Sequence, residues 1–342
     1  MNDTDQVPQS FNYGWIYHEC VPSLNISESI VSFYSKRYRH TNQQGWRVRL
    51  IAGEIHKNGT KVFTDELLRV GDQLAWHRPP WQEPSVPASW QVVFDDDDLY
   101  VINKPSGLPV QPAGGFLEHT LLRLLERRFF GECVPKPVHR LGRFTSGLLV
   151  CARKPATRAW LSAQLRTSTR WACHGRSDTT SAVGSPFPDR PWEKTYLALL
   201  APLRVPLSPG ESLTITTPIV RRPHSRLGEI WCAGEDLQPH DQGGRPLPAR
   251  SRITLLARHR EADLVEVGIG TGRPHQIRIH CAALGAPLLG DPLYLPGGLA
   301  LEERLPGEGG YQLHAYKLGL SLPGGENLHL CAPPPTGLAT GL

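Results

Sequence analysis

The sequence predicts an α+β fold of short strands and few helices, preceded by a small α/β domain. Three observations predict it. Short apolar runs of strand length recur between turn residues, helical periodicity is confined to a few stretches, and the 342 residues include 33 Gly and 32 Pro. That usage of Gly and Pro interrupts long helices and argues against a helical bundle. An apolar content of 39% with a charged content of 20% permits a sizeable core and excludes global disorder.

Residues 1–20 read as a lead-in arm, with Tyr13, Trp15, Ile16 and Tyr17 able to pack onto a domain. The small domain, 21–78, opens with a helix capped by Ser27, whose apolar face is Ile30, Val31, Tyr34 and Tyr38. Lys36, Arg37, Arg39 and His40 fall near its C-terminal end. There they either complement the macrodipole on a solvated face or reach a phosphate, and both readings stand. Asn58-Gly59, between two extended runs within 46–62, is a hairpin turn. Residues 79–89, with Pro79, Pro80, Pro84 and Pro87, cannot sustain sheet ladders and read as a linker.

The second domain, 90–322, opens with two strands around the acidic turn Asp95–Asp98, then a loop bounded by Pro and Gly. Consecutive acids in a turn face water, whereas hard-cation loops alternate their ligands, so no metal is expected there. Lys104 in that loop is a candidate phosphate contact. Amphipathic helices are predicted over 119–130 and 155–165, and a Ser/Thr/Arg-rich insertion without periodicity over 166–191. Strands follow at 192–200, 212–220, 252–257 and 264–269, then a helix ending near Gly285 and a last structured run from Tyr311 to Leu318. Residues 323–342 read as a tail.

A net charge of +5 and a pI near 8.8 are compatible with a polyanionic partner without being diagnostic of one. Seven cysteines, an odd number with no Cys-x-x-Cys, read as reduced thiols, which places the chain in the cytoplasm or another reduced intracellular compartment. The adjacent pairs Cys173-His174 and His280-Cys281 lack further ligands at short spacing, so no zinc site is expected. The start, Met-Asn-Asp-Thr-Asp-Gln, lacks the apolar core of a signal peptide, and no apolar stretch reaches membrane-spanning length. Gly268, Gly270 and Gly272 have the wrong spacing for a dinucleotide fingerprint, and no acid follows at the right distance. A monomer without cofactor is expected.

The stretch His139–Arg153 organises the chain. A loop crowded with two arginines, a histidine and two hydroxyls runs directly into the apolar strand Leu148–Cys151, an arrangement suited to an anionic ligand. Taken singly, Arg140 reads as a salt bridge, Tyr196 as core and His139 as a turn cap.

In order along the chain stand Asn103-Lys-Pro-Ser-Gly-Leu108, His139-Arg-Leu-Gly-Arg-Phe-Thr-Ser-Gly-Leu-Leu149 and Lys194-Thr-Tyr-Leu-Ala198. Gly272-Arg-Pro-His-Gln-Ile-Arg-Ile-His280 with Gly290-Asp-Pro-Leu-Tyr294, and then Leu313-His-Ala315, complete the series. Together, over about residues 90–322, they resemble the catalytic domain of RluA-type RNA pseudouridine synthases. The resemblance implies a mixed, mostly antiparallel sheet with flanking helices. It also implies cofactor-free isomerisation of uridine in a structured RNA, rRNA or tRNA. The base must leave its stack to be reached. Arg140 matches the residue that holds a phosphate or fills the vacated space, and Tyr196 the one that supports the base and helps move a proton at C5. Arg278 matches the arginine that fixes a carboxylate acting as nucleophile or base. Lys104, His139 and Arg143, with Lys36, Arg37 and Arg39, are the implied RNA contacts. The helix, basic segment and hairpin of the small domain resemble in part an alpha-L RNA-binding module, except at 41–45.

The central motif of that family reads His-Arg-Leu-Asp-Arg-x-Thr-Ser-Gly, and here Gly142 occupies the carboxylate position. Arg278 then needs another partner, since an unpaired buried charge costs about 3–5 kcal/mol. An acid from elsewhere, the RNA phosphate or solvent could supply it, and Asp291, Glu193 and Asp189 are the candidate acids. Two functions remain open: a synthase with an unidentified acid replacing the aspartate, or a catalytically silent RNA-binding protein on the same scaffold.

Overall fold

The structure, a computed structural model, describes residues 6–22, 28–131, 133–174, 194–234 and 245–339. The chain divides into two compact units. One comprises Gln9–Pro84 with Pro223–Glu229, and the other Met1–Pro8, Ser85–Arg222 and Ile230–Leu342.

In the small unit a four-stranded antiparallel sheet runs in the order Trp15–Cys20, Gln73–Arg78, Ile55–Lys57, Thr60–Lys61. Trp15–Cys20 pairs along its whole length with Gln73–Arg78, so the stretch read as an arm is a strand of this unit. The helix Ile30–Arg37 is capped by Ser29, whose hydroxyl accepts from the Ser32 N–H; the predicted cap, Ser27, lies outside the described residues. The hairpin forms as Asn58 and Gly59 both take positive φ, 52° and 81°, the geometry of a two-residue primed turn.

A second helix, Gln43–Ile51, replaces the extended run expected from Trp46 onward. Trp46, Val48 and Leu50 alternate with Arg47 and Arg49 and so imitate a strand. Asn42 decides otherwise: its side chain accepts from the Gly45 N–H, and Trp46 and Leu50, one helical turn apart, are buried while Val48 is exposed. At the centre of this core Tyr34 stacks on Trp46, and Trp46 meets Trp76 edge to face.

The proline-rich stretch carries two short ladders, Gln82–Glu83 against Ser10–Phe11 and Val86–Pro87 against Gln6–Val7. Proline forbids long ladders, not two-residue ones.

The large unit is built on a ten-stranded sheet. Eight strands follow the order Ser212–Ile215, Ser251–Arg258, Asp263–Ile269, Lys194–Leu200, Leu313–Ser321, Ser146–Ala152, Leu99–Lys104, Gln91–Asp95; Lys136–Pro137 and Asn327–Cys331 pair at the side. All neighbours in this order are antiparallel except one. Ser146–Ala152 and Leu313–Ser321 meet in parallel through Ser146–His314 and Gly147–Ala315, and there the two wings join. Gly147 is required at this seam. Its φ is 101°, and a Cβ there would collide with the Ala315 carbonyl oxygen. His314 pins the seam from inside, its Nδ1 2.9 Å from the Ser146 hydroxyl and its Nε2 3.1 Å from the Ala332 carbonyl.

Both faces of Ser146–Ala152 are buried, which accounts for its unbroken apolar run. Leu148, Val150 and Ala152 enter one core, Leu149 and Cys151 another. Helix Leu121–Arg128, capped by Thr120, covers the second. In the acidic turn, Asp96 accepts from the Asp98 and Leu99 N–H groups, Asp95 pairs with Arg153, and Asp98 receives the Lys154 N–H and the Thr157 hydroxyl at the start of the next helix.

That helix runs Pro155–His174, so the first residues of the expected insertion continue it, while 175–191 lie outside the described residues. The expected tail also differs. Asn327–Cys331 is a strand paired with Leu313–Ser321, and Thr336–Ala339 is a short helix with Leu338 buried. Alternating Leu328 and Leu330 mark this strand, and the surrounding Gly and Pro obscured it.

Candidate active site

The ends of the central strands open into a cleft of about 630 Å³. Three segments distant in sequence meet there: the loop 139–145 before the parallel seam, the start of Lys194–Leu200, and the turn 272–275 leading into the helix Gln276–Ala283. Gln276 shapes that turn by accepting from the Arg273 N–H at 3.1 Å, while its amide donates to the Arg250 carbonyl. His275, with a φ of 54°, ends it in the left-handed region.

Arg140, Gly142, Tyr196 and Arg278 all line the cleft. Arg140 is exposed at its surface. Burial pushes the Tyr196 phenol up to about 12, so it stays protonated and able to donate at neutral pH. Arg278 is almost wholly enclosed. Its Nε and one Nη donate to the two oxygens of Asp291, each at 2.7 Å, with side-chain exposures of 3% and 0%. The other Nη donates to the Pro306 carbonyl at 3.2 Å. Burial alone would lower the Arg278 pKa, but the Asp291 hydrogen bonds together with the fields of Tyr311, Asp291 and Tyr294 raise it. The partner required for Arg278 is therefore Asp291, which is held in turn by the Leu293 N–H at 2.9 Å. Glu193 and Asp189 lie outside the described residues.

His139 lines the same cleft but is not a cation. Its Nε2 accepts the Val150 N–H at 3.1 Å, and burial, then Lys194, draws its pKa down to about 4. It fastens the loop to the strand instead of meeting phosphate as a charge. Lys104 is likewise corrected. It is fully buried, and its ammonium donates to the carbonyls of Pro105, Leu108 and Arg143 at 2.8, 2.9 and 3.0 Å. All three N–H groups are used to tie two loops together, so none is left for RNA. Arg143 donates to the Gly107 carbonyl at 3.0 Å and lies over the rings of Phe116 and Phe144, away from the cleft lining. Lys36 and Arg37, in the small unit, pair with Glu28 and Glu19, and Arg39 is exposed on that unit.

Two cleft residues escaped sequence reasoning as individuals. His275 donates from Nδ1 to the Tyr294 hydroxyl at 2.7 Å, since that hydroxyl donates to the Trp231 carbonyl; burial, then Arg278, draws the His275 pKa to about 3. Tyr311 is the other. Its ring is 3% exposed and lies under the Arg278 guanidinium, 4.3 Å from centroid to carbon. Its hydroxyl is 3.3 Å from the Thr145 hydroxyl. A Cβ placed on Gly142 would run into the Tyr311 hydroxyl. No local pattern around residue 311 signals this, because the contact depends on the seam that brings the two chain segments together.

Among the described residues lining the cleft there is no carboxylate, whereas Arg140, Arg273 and Lys317 give its surface positive sign. The arrangement suits an anionic ligand with a planar group set against a protonated phenol. Among the described residues, no group of His, Cys, Asp and Glu could hold a metal ion, and no helix is long and apolar enough to cross a membrane.

A family profile described as RNA pseudouridylate synthase matches residues 98–283. An uncharacterized RNA pseudouridine synthase of Synechocystis is 38% identical over 91% of this chain and 96% of its own length. Ribosomal large subunit pseudouridine synthase D of Neisseria meningitidis is 32% identical over 73% of this chain and 59% of its own. The fold is also that of human RNA pseudouridylate synthase domain containing 1, at a TM-score of 0.51, 24% identity, 73% of this chain and 86% of that one.

Proposed function

The chain belongs to the RNA pseudouridylate synthase family, and on that premise we propose that its cleft isomerises uridine to pseudouridine in a structured RNA, either rRNA or tRNA. The observation that carries this reading is the convergence of Arg140, Tyr196 and Arg278 on one basic cleft. The flipped base rests against Tyr196, whose retained proton makes it a donor and relay at the base edge. Arg140, exposed at the cleft, meets the RNA backbone or fills the space the base leaves. Arg278, held by Asp291, is a positioning group under the sugar. Gly142 stands where the RluA-type motif carries its aspartate. The ribosomal relative supports rRNA as the substrate class.

The small unit supports RNA binding of the alpha-L kind. Its two helices, Ile30–Arg37 and Gln43–Ile51, present Lys36 and Arg47, with Arg39 in the turn between them, before the Asn58-Gly59 hairpin. The protein works as a monomer in the cytoplasm or another reduced compartment.

A second reading, a catalytically silent RNA binder, is favoured by one observation: no carboxylate lines the cleft among the described residues, and Asp291 is fully engaged. Mapping pseudouridine in total RNA from cells with and without the gene separates the two. Loss of at least one modified site in the deletion supports the synthase; an unchanged map supports the binder.

A further inference from the structure

We propose that the Tyr311 hydroxyl takes the part of the missing carboxylate, acting as the oxygen that captures the sugar carbon C1′. The proposal rests on the synthase reading above and goes beyond it by naming the reacting group.

Three observations carry it. The first is position: a Cβ on Gly142 would collide with the Tyr311 hydroxyl, so the phenol oxygen occupies the space into which a side chain at residue 142 would grow. The second is surroundings. Arg278 lies over the Tyr311 ring at 4.3 Å and is locked there by Asp291, so the cation faces the phenol that must carry negative charge. The third is elimination among the cleft residues. No described lining residue is an acid, and Tyr196 is held in its protonated form. An oxygen nucleophile on tyrosine has precedent in glycoside chemistry, where some hydrolases use it in place of a carboxylate.

The step balances. The phenol loses its proton to solvent hydroxide in the open cleft and regains one from water after turnover, while the Thr145 hydroxyl, 3.3 Å away, can donate to the phenolate. The phenolate oxygen bonds to C1′ as the C1′–N1 bond breaks, and uracil leaves with the electron pair. The base turns. C5 attacks C1′ and the C1′–O bond breaks, returning the phenolate. The proton lost from C5 is matched by the one gained at N1, with Tyr196 as relay, so no oxidant, reductant or co-reactant enters.

The groups facing Tyr311 define what a pH test reads. Arg278 comes from the helix Gln276–Ala283, its partner Asp291 and the uncharged Tyr294 from the following turn, and Gly142, Phe144 and Thr145 from the 139–145 loop. None of the loop groups carries charge, and because the cleft holds a second phenol, Tyr196, pushed up to about 12, only a substitution at 311 itself assigns a limb of the rate.

The experiment uses the full chain and total RNA from cells lacking the gene. Tyr311→Phe removes one oxygen, and a second protein carries 3-fluorotyrosine at 311, a more acidic phenol of nearly the same shape. The expected result is a loss on the order of 10³-fold in kcat/KM for Tyr311→Phe, with RNA affinity within about twofold. The fluorotyrosine protein should shift the rising alkaline limb of its rate profile to lower pH. A Tyr311→Phe protein that keeps wild-type turnover, or a limb that the fluorine does not move, overturns this inference and leaves the synthase reading standing. A wild-type chain that converts no uridine overturns both.

Discussion

Arg278 and Asp291 share two hydrogen bonds of 2.7 Å, and both side chains are almost wholly removed from water. Thirteen residues apart in sequence, they form the ion pair on which the floor of the cleft is built. Asp291→Asn leaves the guanidinium buried without its counter-charge and is expected to cost about 3–5 kcal/mol. Urea unfolding checks it, as a fall in midpoint without a change in slope.

Gly142 and Tyr311 compete for one space. Gly142→Asp alone overpacks the site and should destabilise by about 1–3 kcal/mol. Combining it with Tyr311→Phe removes the obstructing hydroxyl and should recover most of that loss, because the next ring atom lies 3.7 Å from the added Cβ. The double-mutant cycle, read by thermal unfolding, should therefore be strongly non-additive. Additive losses would show that the two sites do not share space.

Acid should unfold this protein early. His139 and His275 are held neutral in the folded state, with pKa values near 4 and 3 against about 6.5 when unfolded. The unfolded chain binds more protons between those values, so stability is full above pH 6.5 and falls as the pH drops toward 4, by up to about 1.4 kcal/mol per pH unit for each histidine. His139→Gln should flatten this slope in a pH series of unfolding midpoints.

Arg140 and Lys104 should separate cleanly in RNA binding. Arg140→Ala removes an exposed charge at the cleft and should lower the slope of log affinity against log salt by about 1. Lys104→Met should leave that slope unchanged and instead lower stability, because its ammonium serves three backbone carbonyls. Filter binding across a salt series measures both.

The sequence by itself determined the α+β class and the hairpin at Asn58-Gly59 through local periodicity and turn chemistry, and its ordered motifs, by their resemblance to RluA-type synthases, named the segments that line the cleft. Where local pattern was ambiguous it misled. The alternation of Trp46, Val48 and Leu50 imitates a strand until the Asn42 cap and the burial of Trp46 show a helix. Only the tertiary structure decided the states of the polar groups. Lys104 and His139 look like phosphate contacts in sequence, but burial and the carbonyl or N–H each one meets make them structural. Likewise, the partner of Arg278 and the group beside Gly142 come from the turn at 291 and from residue 311. Tyr311 lies 166 residues beyond the Thr145 it touches. Charge, protonation and space are set by neighbours that only the parallel seam at Gly147 and Ala315 brings together.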